Sequence, residues 1–382
     1  MRVLIAAGGT GGHVYPALAV VQALRPSPHP PSPEVAAKAV PTGEGSRAVG
    51  AEFLWVGAIG GLEEGLVRRA GLPFVAIPGG GLHGVGLGLM LRNAVKLVRG
   101  FVQAWGIVGR FQPDALFLTG GYVSAPVALA CWLRRVPILI YLPDVEPGLA
   151  IKTLAHLATR VAVTTEASRA YLPPEKVIVT GYPVRPTLRG VARATAQRTF
   201  GLDPALKTLL VLGGSRGARS INQAIMAILE DVLAECQVIH SSGTLDWEQV
   251  AARRETLPAA LKARYHAYPY LHEEMGAALA AADLAVSRAG ASVLGEFPLF
   301  GLPSILVPYP HAWRYQRVNA DTLAAQGAAI RLDDADLRQK LLPTVQRLLR
   351  DDAARAQMAA RARALAVPDA AERLAGALRA LC

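Results

Sequence analysis

Val3-Leu4-Ile5-Ala6-Ala7 runs into Gly8-Gly9-Thr10-Gly11-Gly12 and then into His13-Val14-Tyr15-Pro16-Ala17-Leu18-Ala19-Val20. The same succession returns past the middle of the chain, where Thr208-Leu209-Leu210-Val211-Leu212 leads into Gly213-Gly214-Ser215-Arg216-Gly217 and on to Ala218-Arg219-Ser220-Ile221-Asn222-Gln223-Ala224-Ile225. Each copy reads as an apolar strand, a glycine turn and a helix. Glycine lets a backbone approach a ligand closely, and the unpaired N–H groups at a helix start favour an anion. Two copies predict two similar domains, each presenting a turn to something phosphorylated.

Working outward from these turns, short apolar runs alternate with helical patterns. Strands are expected at 53–56, 115–118, 138–141, 161–163 and 177–179, and again at 209–212, 238–240, 284–286 and 304–307. Continuous apolar strands separated by helices indicate parallel sheets covered on both faces, so the fold class is α/β, doubly wound and repeated. A length of 382 residues suits two domains of roughly 150–200 residues each. The joint is expected at Gly181-Tyr182-Pro183-Val184-Arg185-Pro186, where two prolines stiffen the chain. Residues 26–46, with Pro26, Pro28, Pro30, Pro31 and Pro33, read as a loop. In the last segment Leu374, Leu378 and Leu381 fall in helical register and pack back on one of the two domains.

The formal charge of +11 points to nucleic acid, an anionic membrane or an anionic substrate as partner. The basic residues are scattered and carry no helix-turn-helix, RNP or zinc-finger pattern, which argues against nucleic acid. Cys131, Cys236 and Cys382 are few and far apart, giving neither a disulfide framework nor a cysteine metal site. The N-terminal apolar run breaks into glycines after Ala7, unlike a signal peptide. The stretch 122–142 is interrupted by Arg134, Arg135, Pro126 and Pro137, too broken for a spanning helix of about 20 apolar residues. No dinucleotide cofactor is expected either. Read as G-x-G-x-x-G from Gly9, the turn has Val14 at the third glycine, and the strand ending near Val56 leads into Gly57-Ala58-Ile59-Gly60-Gly61 without a ribose-binding acid.

Several segments together resemble the MurG family, transferases that add N-acetylglucosamine (GlcNAc) to the lipid-linked muramyl-pentapeptide precursor of peptidoglycan. They are Gly8-Gly9-Thr10-Gly11-Gly12-His13-Val14-Tyr15-Pro16, Gly120-Gly121-Tyr122-Val123-Ser124, Gly181-Tyr182-Pro183-Val184-Arg185, Gly213-Gly214-Ser215-Arg216-Gly217-Ala218, Arg288-Ala289-Gly290-Ala291-Ser292, the stretch 308–319 and Pro368-Asp369-Ala370-Ala371-Glu372-Arg373. The likeness spans nearly the whole chain, in order. It implies a GT-B fold: two Rossmann-like, doubly wound parallel-sheet domains separated by a cleft. Residues 1–184 would receive the lipid acceptor, with 368–382 returning to them, and residues 185–367 would bind UDP-GlcNAc.

Carried over by resemblance, Gly214, Ser215 and Arg216 lie at the donor diphosphate, Arg185 lies near the nucleotide, and Glu296 accepts hydrogen bonds from ribose hydroxyls, a role suited to a carboxylate. Ala291, Ser292, Val293, Leu294 and Gly295 wrap the nucleotide and sugar together with Glu296. Gln316 is placed near the GlcNAc hydroxyls with Asn319 on the same helical face, and Leu271 and His272 occupy the stretch that meets the uracil. Thr10, Gly11 and Gly12 form the acceptor's binding loop. His13 either takes the acceptor hydroxyl's proton or binds its diphosphate, since an imidazole titrates near neutrality. Asp144 and Glu146 stand beside it as alternative bases, because ligands in open α/β sheets bind at strand C-termini.

Two departures from the family pattern stand out. Where many relatives carry Glu-Gln-Asn after the 138–141 strand, this chain has Pro143-Asp144-Val145-Glu146-Pro147, so Val145 replaces an amide and the acceptor or GlcNAc contacts differ, with Asp144 or Glu146 compensating; the second is the proline-rich stretch 26–46. The expected reaction is an inverting displacement without a bound metal, because no paired aspartates with ligand spacing accompany the donor motif. Residues 82–99 interleave apolar residues with Arg92, Lys96 and Arg99, a pattern suited to the anionic inner-membrane surface, and the expected location is the cytoplasmic face of the membrane. Rival readings are a diacylglycerol glycolipid synthase, a nucleotide-sugar epimerase and a nucleotide-sugar-binding protein without catalysis.

Overall fold

The computed structural model describes residues 1–8, 11–25, 50–80, 87–214, 217–311 and 314–382. The expectations for Thr10, Ser215, Arg216, residues 26–46 and the first part of the 82–99 segment lie outside these residues. Among the described residues the strands form two all-parallel sheets. The first contains β1 (Arg2–Ala7), β2 (Glu52–Ala58), β3 (Phe74–Ile77), β4 (Ala115–Gly120), β5 (Ile138–Leu142), β6 (Arg160–Val163) and β7 (Val177–Val179), in the spatial order β3-β2-β1-β4-β5-β6-β7. The second contains β8 (Thr208–Leu212), β9 (Gln237–Ser241), β10 (Tyr265–Tyr268), β11 (Leu284–Ser287), β12 (Ser304–Leu306) and β13 (Ala329–Arg331), in the order β10-β9-β8-β11-β12-β13. This is the two-domain GT-B architecture.

Strand pleating explains how each sheet is held. Side chains alternate between faces, so Leu4 and Ala6 join one buried cluster while Val3 and Ile5 join another on the opposite side. In the second sheet Leu210 and Leu212 likewise separate from Leu209 and Val211. Covered on both faces, these strands are apolar without interruption.

In both sheets the strand order reverses beside the first strand of the set, between β1 and β4 and between β8 and β11. Ligands of open α/β sheets bind outside the strand C-termini at this reversal. Both glycine turns stand there, one after β1 and one after β8. The C-terminal helix Ala370–Arg379 packs on the first half. Leu374, Ala375 and Leu378 share a cluster with Val3 and Ile5 of β1 and with Val14, Ala17 and Val20 of the helix Gly11–Leu24. Each fully buried leucine there contributes about 1.5–3 kcal/mol.

Candidate functional site

The first glycine turn is built by close backbone approach. Gly8 N–H donates to Gly120 O at 3.1 Å, and a Cβ on Gly121, whose φ is +97°, would lie 2.8 Å from Gly8 O. Only glycine lets the ends of β1 and β4 meet this way. The helix begins at Gly11, so Gly11 and Gly12 belong to its first turn, and His13 sits inside that turn where the sequence had it opening the helix. The His13 carbonyl accepts from Thr119 Oγ1 at 2.8 Å, and the ring lies against Gly120, where a Cβ would come within 2.9 Å of it. Burial lowers the pKa of His13, opposed by the charge of Asp144 and by the Gly8 backbone. The ring is therefore a neutral imidazole near neutral pH, and its Nδ1 is buried with no hydrogen-bond partner.

Asp144 and Asn319 join the two halves. Asn319, fully buried on the helix Tyr315–Ala325, donates from Nδ2 to Asp144 Oδ1 at 2.8 Å and to Ala289 O at 3.0 Å. Its Oδ1 accepts from Val145 N–H at 3.0 Å. Burial raises the pKa of Asp144, while Asn319 and His13 hold it down. The Val145 side chain is buried in the apolar cluster of the second half, and it is the backbone of Val145 that serves the network. Glu146 also spans the halves, with Lys152 at 3.9 Å on its own side and Arg314 at 3.8 Å across from it.

A second cluster gathers at the joint. The Arg185 guanidinium lies 4.3 Å from the centre of the Tyr15 ring, a cation–π contact between the joint and the first helix. Glu296 opens the short helix Glu296–Phe300 after the turn Ala291–Leu294. Burial pushes its pKa up to about 7, against the opposing charge of Arg185 and a hydrogen bond from Ser292. Tyr270 belongs to the same group. Its hydroxyl is pushed up to about 12, first by burial and then by Tyr15. Gly295 packs on Tyr182 so closely that a Cβ would fall 2.4 Å from Tyr182 Cβ.

The remaining expected residues are dispersed around these clusters. Gly214 has φ +78°, and Gly217, with φ +81°, leaves no room for a Cβ beside Ser242 O at 2.2 Å, so the second turn is as glycine-dependent as the first. Gln316 Oε1 accepts from Tyr309 N–H at 2.9 Å. Leu271 is buried in the core of the second half, His272 is exposed with its ring 4.6 Å from that of Tyr270, and Ala291, Val293 and Leu294 are buried. Arg185, Glu296, Ser292 and Gly295 come together at the joint, and His13, Asp144 and Asn319 come together between the halves. A neutral imidazole, a buried carboxyl and a cation beside two glycine turns can accept a proton and hold a diphosphate.

The chain matches the Glycosyltransferase family 28 N-terminal domain over residues 44–163 and the family 28 C-terminal domain over residues 208–374. It is 43% identical, over 100% of its own length and 95% of the relative's, to the UDP-N-acetylglucosamine–N-acetylmuramyl-(pentapeptide) pyrophosphoryl-undecaprenol N-acetylglucosamine transferase of Roseiflexus sp. (strain RS-1). The protein of that name from Moorella thermoacetica is 40% identical over 97% of this chain and 96% of its own. The crystal structure of Acinetobacter baumannii MurG superposes with a TM-score of 0.72 at 25% identity, covering 99% of both chains. The chain belongs to the MurG family. A UDP-GlcNAc 2-epimerase from Neisseria meningitidis, at TM-score 0.67 and 13% identity over 100% of both chains, shares the fold alone.

As a member of the MurG family the chain is a glycosyltransferase. Tyr270 was not singled out in the sequence; the only signal was its adjacency to Leu271. Tyr15 was quoted within the first turn's motif but given no role, because nothing in a linear pattern brings it to Arg185. This MurG-family chain also carries an apolar outer face. On the helix Leu87–Phe111, Val95, Val98, Val102 and Trp105 are exposed, as are Leu129, Trp132 and Leu133 on the helix Ser124–Leu133. The Arg134 guanidinium sits 4.1 Å from the Trp105 ring and ties the two helices together, while Arg92, Arg99 and Arg135 are also exposed. Among the described residues no helix is long and apolar enough to cross a membrane.

Proposed function

We propose that this chain is an inverting glycosyltransferase that moves GlcNAc from UDP-GlcNAc to undecaprenyl-diphospho-MurNAc-pentapeptide, in peptidoglycan synthesis. The observation that carries the reading is the meeting of His13 and Asp144, on the first half, with Asn319 of the second half, in a chain of the MurG family. Residues 1–184, with 368–382, act as the acceptor and membrane unit; residues 185–367 act as the donor unit.

The acceptor hydroxyl attacks the sugar C1, a C–O bond forms on one face, and the bond from C1 to the diphosphate oxygen breaks on the other. The electron pair leaves with UDP. Neutral His13 is the proton acceptor this reading favours, because burial keeps it deprotonated while the charge of Asp144 stabilises the imidazolium that forms. Arg185 and the Gly213–Gly217 turn, including Ser215 and Arg216, offset the charge growing on the departing diphosphate. Glu296 receives the ribose hydroxyls, with residues 291–295, Leu271 and His272 around the nucleotide and Gln316 at the sugar. Thr10, Gly11 and Gly12 hold the acceptor's diphosphate.

The lipid acceptor is met at the cytoplasmic face of the membrane by the exposed valines and tryptophans of the two outer helices, with their arginines toward anionic headgroups. UDP release measured with the lipid-linked acceptor, with diacylglycerol and with no acceptor tests the proposal. Turnover is expected only with the muramyl-pentapeptide lipid; turnover with diacylglycerol alone, or conversion of UDP-GlcNAc without acceptor, overturns it.

A further inference from the structure

Away from the cleft a cavity of about 640 Å³ opens beside the two places where the chain crosses between halves. The crossings touch, with Gly181 (φ +85°) so close to Val367 that a Cβ would lie 2.6 Å from it. One wall of the cavity is the segment Arg189-Gly190-Val191 that leaves the first crossing. Another is the helix Asp352–Ala364, which leads into the second. Leu279 and Phe300 contribute to an apolar floor, and four arginines stand around it: Arg189, Arg193, Arg355 and Arg363.

Two of these cations are neutralised. Arg193 Nη2 donates to both carboxylate oxygens of Asp283, at 2.9 and 2.8 Å, and Arg355 pairs with Asp352. Of the other two, among the described residues, Arg363 has no such partner and Arg189 has only a long contact with a carboxylate. Arg363 has its stem over Gly301, where a Cβ would come within 2.5 Å of it, and no acceptor pairs with it among the described residues. Arg189 gives Nη2 to Val184 O at 3.3 Å and lies 4.0 Å from Glu372, while its Nε is buried with no partner. A guanidinium group binds phosphate oxygens bidentately, and the cavity's size is that of a small-molecule site.

We infer that this cavity is a second binding site, distinct from the donor and acceptor sites, for a small phosphate-bearing molecule with an apolar body, its phosphate held by Arg189 and Arg363. The occupant competes with Glu372, which rides on the helix packed against the first half, for the Arg189 guanidinium. The site does not depend on the transfer reaction proposed above.

Calorimetry on the full chain saturated with UDP, so that the donor site is filled, tests the inference with two probes: ATP as a free nucleotide, and dihexanoyl phosphatidic acid below its micellar concentration as a lipid headgroup. One probe is expected to bind with one-to-one stoichiometry, and which one it is identifies the source of the phosphate. Arg363→Gln removes a cation. Ala359→Glu places a carboxylate one helical turn from Arg363, where it supplies an internal counter-ion. Each substitution is expected to weaken the probe at least about tenfold, the equivalent of one charge-assisted contact, while UDP binding is retained as the check on folding. No binding of either probe to the UDP-saturated protein, or a smaller loss in either variant, overturns the inference.

Discussion

Asn319→Ala removes a side chain that hydrogen-bonds across the two halves at the candidate site. Three hydrogen bonds disappear: to Asp144 at 2.8 Å, to Ala289 O at 3.0 Å and from Val145 N–H at 3.0 Å. A bond to an ionisable partner contributes about 1.5–3 kcal/mol and a neutral one about 1 kcal/mol, so the 144–146 loop, held by the Asp144 and Val145 bonds, loses about 2.5–4 kcal/mol of local stability. Hydrogen–deuterium exchange of a peptide spanning 142–148 reads this directly. Pro143 and Pro147 have no amide hydrogen, leaving few reporters besides Val145. At 1.4 kcal/mol per decade, exchange at Val145 is expected to accelerate by up to about a thousandfold. Asn319→Asp provides a signed control. It sets a second carboxylate against Asp144 and an acceptor against Ala289 O, so its destabilisation grows as pH rises and the pair ionises, and shrinks as pH falls. Unchanged exchange at Val145 in Asn319→Ala, or a pH-independent Asn319→Asp defect, would refute the reasoning.

Glu296 supplies a second pH signature. Its folded-state pKa is raised from 4.5 to about 7, so between these values the folded protein holds more protons than the unfolded chain, and the unliganded protein loses stability as pH rises through that window. Ribose hydroxyls that need the carboxylate expel that proton, so UDP-GlcNAc affinity should climb by up to tenfold per pH unit below about 7 and level off above it; a profile in Glu296→Gln as steep as the wild type's removes Glu296 from the donor site. Val98→Asp combined with Val102→Asp is expected to weaken binding to vesicles containing phosphatidylglycerol by about tenfold or more without changing UDP-GlcNAc affinity, and undiminished sedimentation with vesicles counts against a membrane-facing role for that helix. Gly121→Ala forces a side chain into φ +97° and against Gly8 O at 2.8 Å, at a cost of roughly 1–3 kcal/mol; denaturant midpoints indistinguishable from wild type would show that the first turn is not built as described.

The interior strands were legible because both their faces are buried. The 209–212 and 284–286 runs fall one residue short of β8 and β11, and the 177–179 run coincides with β7, an edge strand that was read because Val177-Ile178-Val179 is apolar throughout. The three strands that went unread, β3, β10 and β13, are all sheet edges. Phe74–Ile77, Tyr265–Tyr268 and Ala329–Arg331 are only partly buried, so an edge strand such as Tyr265-His266-Ala267-Tyr268 carries no apolar run. The C-terminal helix was legible from the spacing of Leu374 and Leu378, and the half it joins came only from the family resemblance, because periodicity identifies a buried face and not its partner. Arg185 and Glu296 were named from the family pattern, and the structure sets them in one cluster. Their dependence on Tyr15 and Tyr270 is a tertiary fact. Val145 was read as a lost amide, whereas Asn319 supplies an amide to the same loop from 174 residues away.

The most direct test of the central claim is transfer of radiolabelled GlcNAc from UDP-GlcNAc to undecaprenyl-diphospho-MurNAc-pentapeptide, followed for the wild type and for His13→Ala. The account predicts a labelled lipid product with one UDP released per sugar transferred, and a fall of about a hundredfold or more in His13→Ala with UDP-GlcNAc affinity retained. Label that stays in water-soluble sugar, or His13→Ala turning over as fast as the wild type, would contradict it.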